Sequence, residues 1–199
     1  MGFPAVFLLS AALLASWFLF ALRSRHQKAR IQALEQSLKR EYKIAHTDPL
    51  TGLSNRVAYE ERLDPLTTRS GSSNLCCVIL DADHFKAIND EGGHCAGDLA
   101  LQSIAVALRQ AFNENVHELF RIGGDEFALI LHGLSPTQVA TQLSLVNTLL
   151  HHRSIKLGIL LSVSAGRAFL GEPGAHTAKE AFDLADQRMY ACKKLTSQV

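Results

Sequence analysis

Asp125 and Glu126 are adjacent carboxylates that directly follow the pair Gly123-Gly124. Two neighbouring carboxylates repel each other, and a hard divalent cation that also holds phosphate and water oxygens relieves that repulsion. Glycines at such a position let a bulky ligand approach the backbone. The stretch predicts a cation-assisted site for a phosphate-rich ligand, although so short a motif is also typical of an acidic surface turn.

A second acidic pair, Asp81 and Asp83, ends the apolar run of residues 75–80, which is short enough to be a buried strand. Ligands of α/β proteins lie beyond the carboxyl ends of strands. Period-two alternation places both side chains on one face if the strand continues that far. Asp81 and Asp125 together would supply part of the shell of a divalent cation, and the alternative is an acidic turn that ends the strand.

Apolar runs on both sides of Gly123-Gly124 predict a β-hairpin that carries Asp125 and Glu126 at its tip. Periodicity and turn residues predict the other elements. They are a helix over residues 54–63 capped by Ser54 or Asn55, a loop over 70–74, a loop over 84–97, a helix over 101–112, a helix that opens at Ser135-Pro136, a strand over 159–163 and a helix over 178–194. This alternation predicts an α/β sandwich with a central mixed sheet.

Charge and cysteine content exclude some classes of protein. Twenty Lys and Arg residues against 19 Asp and Glu residues give a net charge of +1, which does not suggest a nucleic-acid binder. The four cysteines have no metal-ligand spacing, and we expect them to be reduced thiols of a cytosolic domain.

The amino-terminal part predicts a membrane anchor and a stalk. Residues 3–22 are uncharged, long enough for a transmembrane helix and followed by Arg23 and Arg25, which predicts a cytoplasmic location for the rest of the chain. The alternative is a buried core helix. Apolar residues between 28 and 45 recur at helical spacing, which predicts either a short coiled-coil stalk or a solvated linker helix. The predicted domains are therefore an anchor (1–22), a basic segment and stalk (23–46) and a main domain (47–199).

Five stretches in a fixed order resemble the GGDEF family of diguanylate cyclases. They are residues 48–56, 81–98, 121–127, 162–166 and 185–193. The resemblance covers about residues 47–194 and implies a palm-like fold related to nucleotide polymerases. It also implies synthesis of cyclic di-GMP from two GTP molecules by a homodimer, at the inner membrane of a bacterium if the anchor is present.

The resemblance further implies the roles of individual residues. Asp81, Asp125 and the backbone carbonyl of Ala82 would hold two Mg²⁺ or Mn²⁺ ions per active site, and Glu126 is a weaker candidate for assisting deprotonation. The phosphates would be bound by the positions that match Phe85, Lys86 and Lys193. Asn89 and Asp98 match the positions that read guanine, and His94 lies in the same loop.

Two positions depart from the family's pattern. Many relatives carry an inhibitory Arg-x-x-Asp motif where this chain has Glu114-Asn-Val-His117, so we expect no product feedback at that site. Relatives often place an arginine where Ser197 stands, which puts the affinity for phosphate in doubt. We expect any input to the domain to come through the membrane, an upstream signalling partner or the expression level.

Overall fold

The computed structural model describes residues 3–67 and 75–196, which divide into two units at Ala45 and His46. The first unit consists of helix α1 (Phe3–His46), apart from its last residue. Large apolar side chains are exposed along α1 at Ile31, Leu34, Leu38 and Tyr42. Nowhere in the described residues is a helix long and apolar enough to cross a membrane.

The second unit is built on a four-stranded sheet with the order β2-β3-β1-β4. The strands are β1 (Leu75–Ala82), β2 (Glu118–Arg121), β3 (Glu126–His132) and β4 (Val163–Phe169). All three pairings are antiparallel, so the predicted mixed sheet is wrong. β1 and β2 run in the same direction, but β3 lies between them and no parallel ladder forms.

Helices cover both faces of this sheet. They are α2 (Arg56–Thr67), α3 (Phe85–Ala111), α4 (Pro136–Leu157) and α5 (Ala178–Thr196). Val78 and Leu80 of β1 belong to the hydrophobic core that contains α3 and α4 residues, whereas Ile79 belongs to the core that contains Phe182 and Met189 of α5. Both faces of β1 are therefore buried, which explains its continuous apolar run.

The predicted hairpin is confirmed, since β2 and β3 pair on either side of Gly123-Gly124. Two helix starts also follow the expected chemistry. The Asn55 Oδ1 atom accepts a hydrogen bond of 3.1 Å from the Ala58 N–H group, and Ser135 forms a capping box with Gln138 ahead of Pro136. These caps satisfy N–H groups that have no partner inside the helix.

Two predicted boundaries are wrong. Residues 85–97 belong to α3 rather than to a loop, because among them only Gly93, with φ 73° and ψ 176°, leaves the helical region. The last strand begins at Val163 instead of ending there. The predicted loop over residues 70–74 lies outside the described residues, as does Ser197.

The turn between Thr47 and Ser54 lies along β2. Ser54 forms an isolated bridge to Phe120, in which its N–H group donates to the Leu119 carbonyl at 3.3 Å and its carbonyl accepts from the Arg121 N–H group at 2.8 Å. The first residues of the second unit therefore pair with the outer strand of its sheet.

Candidate active site

Three carboxylates meet at one end of the sheet. The N–H groups of Ile122 and Gly123 both donate to the Glu126 carbonyl, at 3.0 and 3.4 Å, which closes the tip of the hairpin. The Asp125 carbonyl accepts a hydrogen bond of 3.1 Å from the Ala82 N–H group, and Asp81 is the register partner of Glu126. The structure thus brings Asp81, Asp125 and Glu126 together, although they lie up to 45 positions apart in the chain.

Burial and mutual repulsion act on these carboxylates. Asp81 is 7% exposed, and burial together with the neighbouring charge of Asp125 raises its pKa. Burial also raises the pKa of Glu126, and the charges of Asp81 and Asp125 add to that shift. Both carboxyl groups are therefore easier to protonate than in water, and a nearby cation would stabilise their charged forms.

One cation of the chain already lies in this cluster. The ammonium group of Lys193, on α5, forms an ion pair with the Oδ1 atom of Asp81. Burial alone would lower the pKa of Lys193, but the hydrogen bond and the charge of Asp81 outweigh it and raise the pKa. The cluster thus holds Lys193 in its charged form.

Asp83 has a different environment. It is 5% exposed, and its two carboxylate oxygens accept hydrogen bonds of 2.6 Å from the hydroxyl groups of Ser162 and Ser164. Its N–H group donates to the Ser162 carbonyl at 3.0 Å, beyond the end of β1 at Ala82. The strand therefore stops short of Asp83, so the condition for placing it on one face with Asp81 is not met.

Arg121 connects the hairpin to the first turn of the second unit. Its Nη1 atom donates to both carboxylate oxygens of Asp48 at 3.1 Å, and its Nη2 atom donates to the Gly124 carbonyl at 2.8 Å. Burial raises the pKa of Asp48, but hydrogen bonds from Thr51 and the guanidinium of Arg121 produce a net lowering. The residue before Asp125 is thus fixed by a side chain that is itself held by an ion pair.

Neither Asp48 nor Arg121 was assigned a role from the sequence. Both belong to stretches that resemble the family, and that membership is the one signal that could have singled them out. Their contact joins positions 73 residues apart, and no local pattern reports such a distance.

Five of the six predicted substrate residues lie on α3, and the sixth, Lys193, lies on α5. Phe85 and Lys86 begin the helix and Asn89 lies one turn on, while His94 and Asp98 follow the break at Gly93. These five residues are exposed or half-buried.

Gly97 brings the two parts of α3 close together. A Cβ atom added at Gly97 would lie 2.1 Å from the Asn89 Oδ1 atom and 3.2 Å from the Phe85 ring. The Asn89 amide therefore lies against the backbone of the residue that precedes Asp98. The proximity of Asn89 to Gly97 is therefore a backbone contact one residue before Asp98.

A separate cavity of about 650 Å³ lies between the start of α3 and the segment that follows α4. His84, Ile88, Glu91 and Leu160 are among its lining residues, and none of the predicted site residues lines it. The carboxylate cluster is the better candidate for chemistry, because it combines acidic side chains, a cation and raised pKa values.

The donor set of the cluster fits a hard cation that shares its shell with a substrate. Within residues 3–67 and 75–196, no three His, Cys, Asp or Glu side chains converge on a position that could hold a metal ion. Mg²⁺ is commonly held by one or two carboxylates, with phosphate and water oxygens as its remaining ligands. Asp81 and Asp125 could supply those carboxylates.

The residues at the position of the family's inhibitory motif make contacts within the fold. The Glu114 Oε1 atom accepts a hydrogen bond of 2.9 Å from Arg109. His117 is buried against the Phe112 ring, and its Nδ1 atom accepts a hydrogen bond of 3.3 Å from the His132 N–H group. These contacts use the two side chains that stand where the motif has arginine and aspartate.

Fold and site together define a palm-like α/β protein with carboxylates at the end of its central strand. The family model described as "Diguanylate cyclase, GGDEF domain" matches residues 45–198, and the chain belongs to the GGDEF family. The coiled coil and GGDEF domain of DgcB from Caulobacter crescentus, solved in complex with c-di-GMP, is a similar structure. It has a TM-score of 0.74 and 29% identity, over 88% of this chain and 94% of that one.

Two curated relatives show the range of proteins that contain such a domain. Diguanylate cyclase DgcP from Pseudomonas aeruginosa is 33% identical over 87% of this chain and 26% of its own length. Cyclic di-GMP phosphodiesterase PdeB from Shewanella oneidensis is 37% identical over 67% of this chain and 16% of its own length. The chain thus spans about a quarter or less of these two relatives.

Proposed function

We propose that this chain is a diguanylate cyclase that condenses two GTP molecules into cyclic di-GMP and two pyrophosphates as a homodimer. One observation carries the proposal. Asp81, Asp125 and Glu126 lie together with Lys193, beside helix α3, which contains the residues that match the family's substrate positions. Family membership supports the same reaction class.

Asp81, Asp125 and the Ala82 carbonyl would hold Mg²⁺ or Mn²⁺, two ions per active site. When bound, such ions lower the pKa of the attacking 3′-hydroxyl and neutralise charge on the triphosphate. Burial and the repulsion between neighbouring carboxylates together raise the pKa values of Asp81 and Glu126, and the repulsion favours a cation at this position.

The chain's own residues bind and orient the substrate. Glu126, whose raised pKa makes it a better proton acceptor than an ordinary glutamate, would assist removal of the hydroxyl proton. Lys86, at the exposed start of α3, and Lys193 would bind the triphosphate by charge, and the backbone near Phe85 would line the same site.

Asn89 and Asp98 would read the guanine base. A carboxylate can accept from both the N1–H group and the exocyclic amine of guanine, and adenine does not offer that pair of donors. Asn89 lies against the backbone of Gly97, and Asp98 is the next residue along the same helix. His94 lies in the same part of α3 and would complete this surface.

The reaction closes one product between two GTP-loaded domains, so it requires two copies of the chain. The exposed side chains of Ile31, Leu34 and Leu38 follow a three- and four-residue spacing along α1. Pairing of that stripe with a second copy would bury it as a coiled coil and raise the effective concentration of the catalytic domains.

A regulatory module without turnover is the second candidate. The similarity to PdeB favours it, because a domain of this kind occurs in a protein that carries the name of a phosphodiesterase. Such a module would bind GTP or a protein partner.

Feedback by product at the Glu114–His117 position is absent in our proposal, since both side chains make structural contacts. A cytoplasmic location at the bacterial inner membrane stays a prediction from the sequence.

The test is incubation of the purified chain with GTP and Mg²⁺, with cyclic di-GMP measured by chromatography. We expect product from the wild type and from Glu114→Ala, which removes an exposed carboxylate elsewhere, and none from Asp125→Ala. Activity in Asp125→Ala would contradict the metal assignment. No product from a folded, dimeric wild type would favour the regulatory module.

A further inference from the structure

Lys193 binds Asp81 in the structure, although the family resemblance assigns it to phosphate. Its ammonium group pairs with the Oδ1 atom of Asp81, a carboxylate that is 7% exposed. A divalent cation and an ammonium group that use the same carboxylate oxygen exclude each other. The Oδ1 atom therefore holds one cation or the other, and the ammonium charge beside it also repels a divalent cation at the Oδ2 atom.

We propose that Lys193 pairs with Asp81 until a nucleotide arrives, so that the divalent cation at Asp81 is bound together with GTP rather than before it. The inference rests on the proposed function, because it assigns Asp81 to the metal and Lys193 to the triphosphate. A triphosphate offers Lys193 several anionic oxygens in exchange for one carboxylate. The nucleotide thereby releases Asp81 at the moment when its own phosphates can share the cation.

The charges around the pair make this exchange sensitive to Lys193. Asp81, Asp125 and Glu126 carry three negative charges, and Lys193 supplies a positive charge that acts on all three. Removing that charge leaves a more negative cluster and a carboxylate without its competing ammonium group. Binding of a divalent cation without nucleotide should then become stronger, because unit charges interact strongly at short range in partly screened surroundings.

Linkage makes the effect reciprocal. If the nucleotide raises the affinity for the cation, the cation raises the affinity for the nucleotide by the same factor. Loss of Lys193 should weaken the coupling between cation binding and nucleotide binding in two ways. The nucleotide-free protein gains affinity for the metal, whereas the nucleotide-bound protein loses the contact between Lys193 and phosphate.

The experiment measures binding of Mn²⁺ to the full chain by the electron paramagnetic resonance signal of free Mn²⁺, without nucleotide and then with a non-hydrolysable GTP analogue. We expect Lys193→Met to bind Mn²⁺ on the order of tenfold more tightly than the wild type without nucleotide. With the analogue, the difference should shrink or reverse. Lys193→Arg, which keeps the positive charge, should resemble the wild type.

Lys194→Met is the matched control. Lys194 is the adjacent lysine and lies over the Tyr190 ring at 4.4 Å, so the variant removes the same charge without touching Asp81. An equal gain in affinity from Lys194→Met would overturn the proposal in favour of a general charge effect. Unchanged, weaker or undetectable Mn²⁺ binding by Lys193→Met would also overturn it. Lys193→Gln, with thermal melting of each variant, replaces the methionine variant if that one does not fold.

Turnover is not needed for this measurement. A tenfold gain in a chain that makes no cyclic di-GMP would support the exchange at Asp81 and contradict the proposed cyclase. Product formation together with identical Mn²⁺ affinities would contradict the exchange alone.

Discussion

Asp81 and Asp83 lie two positions apart and are almost equally buried, but their surroundings differ. On the hairpin side of β1, Asp81 faces two further carboxylates and a lysine. On the β4 side, Asp83 accepts hydrogen bonds from two serine hydroxyl groups, both at 2.6 Å. One carboxylate pairs with a cation, and the other is satisfied by neutral hydroxyl donors at the start of β4.

In our proposal, the difference separates a carboxylate reserved for a ligand from one that maintains the fold. A buried charge is tolerated when the protein itself supplies its hydrogen bonds, as it does for Asp83. Asp81 has other carboxylates beside it, and their repulsion costs stability. A bound cation would stabilise the charged form of Asp81. Neighbouring acidic residues can therefore play opposite roles, and the partners decide which.

The largest effect should come from Asp81→Asn. We expect turnover of GTP to fall by about a thousandfold or more, on the order of what removing a group that stabilises transition-state charge costs. The free energy of unfolding should change little, because the variant loses the ion pair with Lys193 but also the repulsion with Asp125. Steady-state kinetics and urea unfolding check both parts. A variant that unfolds readily would show that Asp81 is structural after all.

A smaller and opposite effect should come from Asp83→Ala. The variant leaves two serine hydroxyl groups without their acceptor, so we expect the free energy of unfolding to fall by about 2–4 kcal/mol. Turnover per folded molecule should stay within a few-fold of the wild type. Urea unfolding with kinetics at a temperature where the variant is folded tests this, and Ser162→Ala, which removes one of the two bonds, should lose less. If Asp83→Ala kept the stability of the wild type but lost turnover, Asp83 would belong to the active site instead.

The smallest effect should appear in the pH dependence of stability. The pKa of Asp81 is raised above its ordinary value of 3.8, so its contribution is fully present below that pH and is lost as the pH rises through the higher folded value. Without metal, the unfolding free energy of the wild type should therefore decline relative to Asp81→Asn as the pH rises through this acidic window. A difference that does not change with pH would mean that Lys193 fully compensates for burial.

Local chemistry in the sequence predicts several elements correctly. Gly123-Gly124 between apolar runs predicts the hairpin, and Asn55 and Ser135 cap helices as their side chains suggest. The prediction of a mixed sheet is wrong because strand order depends on packing between distant segments. Alternation along the chain does not reveal that β3 lies between β1 and β2.

At the start of α3, a high glycine content does not mean that the backbone leaves the helical conformation. Of Gly92, Gly93 and Gly97, only Gly93 has a positive φ. Gly97 serves a different purpose, since a side chain there would displace the Asn89 amide. The pairing of Lys193 with Asp81 spans 112 positions and follows from the packing of α5 on the sheet, so no local pattern reports it.

The bridge from Ser54 to Phe120 also bears on self-association. β2 is an edge strand, and an uncovered edge offers unpaired backbone groups to any other strand, including one from a second molecule. The turn that ends at Ser54 occupies part of that edge with two backbone hydrogen bonds. A fragment that began after residue 54 would keep every strand and every carboxylate of the site. It would also expose β2, and its tendency to aggregate should exceed that of the intact second unit.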